Sequence, residues 1–274
     1  MLLIDSKPLT ITTSRSKLAF TTTGGTNWKV WDRFISLGDE QLFHIGNICG
    51  TCEFFFRRMT EAAVPSFEIE RVKTELEVGI SAIDPTAATL AEIMPNGKYV
   101  VALFECQPNQ AGTDSTPDYF SHEQRLAWPD YDDDPSPETW YYRGDSTAMP
   151  DQQMLFEFYV PLYDSSLLNN ERVEYYKSVI KSGSRPTAIS LSVLDVKAPM
   201  SFPEDEDGNE IEPEFRTHWC FANYLLDGHH KVFASHSLGI PITILSFISI
   251  DHSWQQIDKL IAHYHDQQIN KRRT

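Results

Sequence analysis

Hydrophobic and polar positions follow two different rhythms along this chain. In the first part the apolar residues come in short β-branched and aromatic runs. Thr10–Thr13 and Leu18–Thr23 predict strands, with Gly24-Gly25 as a turn between such runs. Lys98–Glu105 predicts the clearest strand of this half, and Pro95-Asn96-Gly97 ahead of it favours a tight hairpin turn. The stretch Phe67–Ile83 fits either alternation or a charged helix.

After residue 165 helical spacing appears. Asn170 predicts a cap for a helix from Glu171 to about Lys181, with Val173, Tyr176 and Ile180 on one face and Gly183 as its left-handed stop. Strands are predicted over Thr187–Asp195 and His218–Leu226, joined as a long hairpin whose tip holds the acidic Glu204–Glu214 stretch. A short helix, Val232–Leu238, ends at Gly239. The near-continuous apolar run Ile240–Ile248 then predicts a buried strand. Ser253 and Gln256 form a capping-box pattern for a last helix with Trp254, Ile257, Leu260, Ile261 and Tyr264 on its apolar face.

Charge divides the chain further. Residues 126–215 hold 6 basic and 19 acidic side chains, most of the net charge of −16. The acid gathers in Asp130–Asp134 and Glu204–Glu214, the first among three prolines that oppose helix and sheet alike. The expected organisation is α+β: a β-rich N-terminal domain over residues 1–125, an acidic Pro-containing linker over 126–152, and an α+β C-terminal domain over 153–274. With 274 residues, 41% of them hydrophobic, the chain can bury a substantial core. Its acidity argues against nucleic acid or anionic membrane as partner, since both call for a positive surface. No apolar run reaches the roughly 18 residues of a membrane span, and the opening residues lack a secretory pattern. A soluble, cytoplasmic protein is the expectation.

The segment Leu225-Leu-Asp-Gly-His-His-Lys231 carries the chemistry. A strand ends at Asp227, Gly228 allows a sharp turn, and a helix follows at once. A helix start presents unpaired N–H groups and the positive end of the dipole, which together attract a phosphate. Lys231 adds a cation, and His229 and His230 add donors or a base with a pKa near neutrality.

With its flanks, this arrangement resembles the ParB/sulfiredoxin-like superfamily. The matching residues are Asp227, Gly228, His229, His230, Lys231, Ala234, Gly239 and the strand Ile242–Phe247, preceded by the helix Tyr175–Gly183 and the strand from Arg185-Pro186 to Asp195. The resemblance covers about residues 165–250. It implies a ParB/sulfiredoxin-like C-terminal domain with a phosphate or Mg-nucleotide (ATP or CTP) cradled by Gly228, His229, His230 and Lys231. Asp227, His229 and His230 would be the catalytic candidates, and Asp195 a weaker carboxylate. The catalytic cysteine of the sulfinic-acid reductases would fall on His229, and only about 23 residues follow the last strand, too few for the clamp proteins' DNA-binding domain. A small-molecule phosphotransferase or NTPase survives as the implied activity. The alternative is a non-catalytic protein-interaction or regulatory module with a vestigial or ligand-sensing site. The expected partners are therefore a nucleotide or phosphorylated small molecule, or another protein.

The second cluster is Cys49-Gly-Thr-Cys52, preceded by His44. Such a pair can chelate a structural Zn²⁺, with His44, Cys106, His218 or Cys220 completing the set; it can also be a redox dithiol, or a plain turn before Phe54–Phe56. Four cysteines are too few for a disulfide scaffold.

Overall fold

A computed structural model describes residues 1–25, 28–47, 56–59, 92–111, 141–162, 165–198, 216–254 and 256–271. The protein is strand-rich with mixed α and β structure. Four strands, β2 (Leu18–Gly25), β3 (Trp28–Leu37), β4 (Glu40–Asn47) and β5 (Arg57–Arg58), form a small antiparallel sheet in sequence order. The large sheet has eight: β1 (Leu2–Ile11), β6 (Gly97–Cys106), β7 (Asn109–Ala111), β8 (Tyr141–Met149), β9 (Gln153–Val160), β10 (Thr187–Lys197), β11 (Thr217–Asp227) and β12 (Ile242–Ser249). Their spatial order is β1-β6-β12-β10-β11-β9-β8-β7. Among the described residues the helices that accompany them are α1 (Asn170–Lys181), α2 (His229–Leu238) and α3 (Ile257–Lys271).

This order corrects the expected organisation. β1 and β6 from the first 125 residues share one sheet with β9 to β12, so the strands do not fall into separate N- and C-terminal sheets. Nor is 126–152 a linker throughout, because Tyr141–Met149 pairs with β9. Tyr141 and Tyr142 are buried there on opposite faces, and that burial fixes the strand although acidic residues precede it. The expected hairpin at Asn96-Gly97 is likewise replaced: β6 lies between β1 and β12. The acidic runs 130–134 and 204–214 and the stretch 67–83 lie outside the described residues.

Both faces of the large sheet are covered. Along β10, Ile189, Leu191 and Val193 belong to one buried cluster with Leu42, Phe43 and Phe56; Ala188 and Leu194 belong to the cluster on the helix side. The sheet is also curled. Only Gln107 and Pro108 separate β6 from β7, a reach of about 11 Å from Cys106 to Asn109. A flat sheet would hold these strands six spacings apart, about 29 Å. The concave face is the helix side: the Met1 amino group there reaches both carboxylate oxygens of Glu157 at 2.8 Å, although β1 and β9 are five places apart. Tyr264 of α3 fills the hollow, donating to Glu157 Oε1 at 2.8 Å and packing on Phe104 and Phe221.

One polar network buried on this face joins three strands. Asn223 Oδ1 accepts from Ser192 at 2.9 Å, Ser246 at 2.6 Å and Ser190 at 3.2 Å, and its amide donates to the Phe158 carbonyl. Among the described residues no helix is long and apolar enough to cross a membrane.

Candidate functional site: the cleft at the start of α2

Helix α2 begins three residues earlier than its apolar pattern suggests, at His229 in place of Val232. His229, His230 and Lys231 are therefore its first turn. Gly228 is the N-cap in the left-handed region at φ 93°, and no side chain caps the helix. It also sits against β10, where a Cβ would lie 2.6 Å from that of Ala188. A register shift beside it, where Ile189 faces Asp227 and Ser190 faces Leu225, re-aims the end of β11. Helix α1 packs on α2. Its cap is Asn169, one residue before the expected Asn170, with the side chain accepting from the Arg172 N–H at 3.0 Å.

The cleft between these elements has a volume of about 60 Å³ and is lined by Arg172, Tyr176, Asp227, Gly228, His229, His230 and Lys231. All five residues singled out in the motif line it. Arg172 and Tyr176 join them from α1, and no spacing in the sequence links them to the motif, because the helix packing that brings them there is tertiary.

The side chains are already engaged. His229 is 7% exposed, and its Nε2 accepts from the Leu162 N–H at 3.0 Å. Burial pushes its pKa down to about 3, so the ring is neutral with the proton on Nδ1. His230 Nε2 accepts from the Asn169 N–H at 3.0 Å; burial and the nearby Arg172 charge lower its pKa. Lys231 turns back beneath the helix, donating to the Thr187 carbonyl at 2.6 Å and to Asp227 Oδ2 at 3.1 Å, with the Tyr176 ring 5.7 Å away. It is 5% exposed.

These bonds reassign the motif. A general base needs an available lone pair within reach of a substrate proton, and the Nε2 lone pairs of both histidines hold backbone N–H groups. Asp227 is ion-paired with Lys231. Asp195 is remote from this chemistry: it lies on the other face of the sheet and accepts from Arg33 NH2 of β3 at 2.5 Å. Arg172, exposed on α1 and lining the cleft, is the cation placed to meet a ligand.

No family model matches the chain, and no curated protein or solved structure is significantly similar to it.

Only part of the candidate metal set lies among the described residues. Cys49 and Cys52 lie outside the described residues. His218 and Cys220 share a face of β11, as alternation predicts, but Cys106 belongs to the opposite, concave side. His44 bonds Asp32 Oδ1 at 3.0 Å. Among the described residues no group of three or more His, Cys, Asp or Glu could hold a metal ion.

Proposed function

We propose that this chain is a phosphate-binding module without catalytic turnover, holding the phosphate of a small ligand in the cleft between α1 and α2. The observation that carries the reading is the start of α2. The helix opens directly behind a left-handed glycine, with no side-chain cap, and faces the Arg172 side of the cleft. The dipole and a guanidinium then act on one small volume. A water needs about 10–15 Å³ of such space, so about 60 Å³ admits four or five heavy atoms, the size of one phosphate group.

Of the two activities weighed from the sequence, the non-catalytic one is favoured because both histidines hold backbone groups. The resemblance to ParB/sulfiredoxin-like domains supports a nucleotide as carrier of the phosphate, with Mg-ATP or Mg-CTP as first candidates; its base and ribose would lie outside the cleft. A cytoplasmic location belongs to the same proposal and is supported by the low cysteine content. So does zinc at Cys49 and Cys52, which rests on their spacing and is tested by elemental analysis of untagged protein.

Thermal unfolding with orthophosphate, ATP, ADP, CTP and GTP, with and without Mg²⁺, tests the reading. A ligand at 100 times its Kd stabilises by about 2.7 kcal/mol, and Arg172→Ala, at an exposed position, is expected to weaken the effect without unfolding the protein. No shift with any of these, or one unchanged in Arg172→Ala, removes the reading. Steady phosphate release that disappears in His230→Gln would restore the catalytic alternative, a phosphotransferase or NTPase.

A further inference from the structure

Two consecutive histidines bind the same piece of chain. His229 accepts the Leu162 N–H and His230 the Asn169 N–H, so the start of α2 grips both ends of the segment running from β9 into α1. That segment contains the 3₁₀ turn Ser165–Leu167, none of whose residues is buried, and it ends at the cap of α1. The two imidazoles are its described side-chain bonds to α2, and each works only while its Nε2 is unprotonated. A protonated ring would present N–H to N–H.

We propose that His229 and His230 form an acid-sensitive latch: at neutral pH they hold Leu162 and Asn169 against α2, and acidification releases both, and the first turn of α1 with them. This inference does not depend on phosphate binding, since the latch bonds exist without a ligand.

The charged groups around the latch set its direction. Burial is the largest influence on both rings and disfavours the cation; Asp227 opposes it, and Arg172 acts further against charge on His230. Lys231 lies in the same cleft, tied to Asp227. Closed, the rings resist protonation. Released into water they titrate near 6.5. The closed state is therefore at full strength above about pH 6.5 and loses ground as pH falls below it, continuing toward pH 3 for His229. Between pH 7.5 and 5 the opening equilibrium rises about 30-fold from His229 alone, with a further gain from His230.

Residue-resolved amide hydrogen exchange of the full chain tests this, with opening constants corrected for the intrinsic rate at each pH. The expected result is a rise of about 30-fold or more at Leu162 and Asn169 between pH 7.5 and 5, while amides of β10 and β12 stay protected. In His230→Gln, whose amide oxygen accepts without titrating, the rise at both amides is expected to fall back to the roughly 30-fold that His229 alone supplies. Nitrogen chemical shifts of the His229 ring provide a readout that needs no variant, and Nε2 is expected to be unprotonated at pH 7. A flat response at both amides, an equal rise in His230→Gln, a rise shared by β10 and β12, or a protonated Nε2 at pH 7 each overturns the latch.

Discussion

A side chain at position 228 would have nowhere to go. Besides the Ala188 Cβ at 2.6 Å, it would meet the Ala188 Cα at 2.8 Å, on a backbone already at φ 93°. Gly228→Ala is expected to cost about 3 kcal/mol in urea unfolding, from left-handed strain and a backbone clash together. Other single residues hold the layers to each other. Arg33 reaches from the small sheet to Asp195 and also donates to the carbonyls of Gly46, Ile45 and His252. Burial opposes its charge and the Asp195 carboxylate outweighs that, leaving the guanidinium pKa raised. Asp195→Asn removes the countercharge and is expected to destabilise by about 3–5 kcal/mol, whereas the apolar double variant Arg33→Met/Asp195→Leu should recover much of the loss. Acid sensitivity also begins with single residues. Burial lowers the His218 pKa to about 4, so its share of stability is complete above pH 6.5 and declines as pH falls from 6.5 to 4. Urea midpoints measured across that range should fall less steeply in His218→Phe. The sequence points to the motif residues but not to their bonds: nothing near His229 in the chain announces Leu162, which lies on another strand's exit. Ser190 and Ser192 mislead in the same way. They alternate with the apolar Ile189, Leu191 and Val193, and the pattern does not show that their hydroxyls converge on Asn223 of the neighbouring strand.

Helices and strands were the most legible level. The predicted elements from residue 170 to 264 all exist, within about three residues of their expected ends, because strong local signals such as Gly183 at φ 95° and Gly239 at φ 63° terminate them. The misplacements have local causes. Ser253 does not cap α3, since its hydroxyl accepts from the Leu194 N–H and the helix waits until Ile257. Trp254, expected on the buried stripe, is 43% exposed for the same reason. Helix α2 extends back to Gly228 because His229 and Lys231 bury their side chains despite their polarity. At α1 the cap carries a measurable share of the helix: Asn169→Ala is expected to cost about 1 kcal/mol, read as a lowered urea midpoint.

Chain-wide organisation was the least legible, because sheet order depends on pairings between residues up to about 150 positions apart. β6 takes β1 on one side and β12 on the other, and no local pattern encodes either choice. The expected C-terminal domain can be tested directly. A fragment of residues 153–274 lacks β6, the neighbour of β12, and β8, the neighbour of β9, so it is expected to show no cooperative unfolding transition by circular dichroism. A sharp transition would restore the two-domain division. The meeting of Met1, Tyr264 and Glu157 has a consequence for synthesis. At about 5–20 residues per second, some 5–20 s pass between the making of Glu157 and of Tyr264. Strands made during that interval keep their apolar faces open until Tyr264 arrives to cover them, which makes the nascent chain a natural client for chaperones at the ribosome exit.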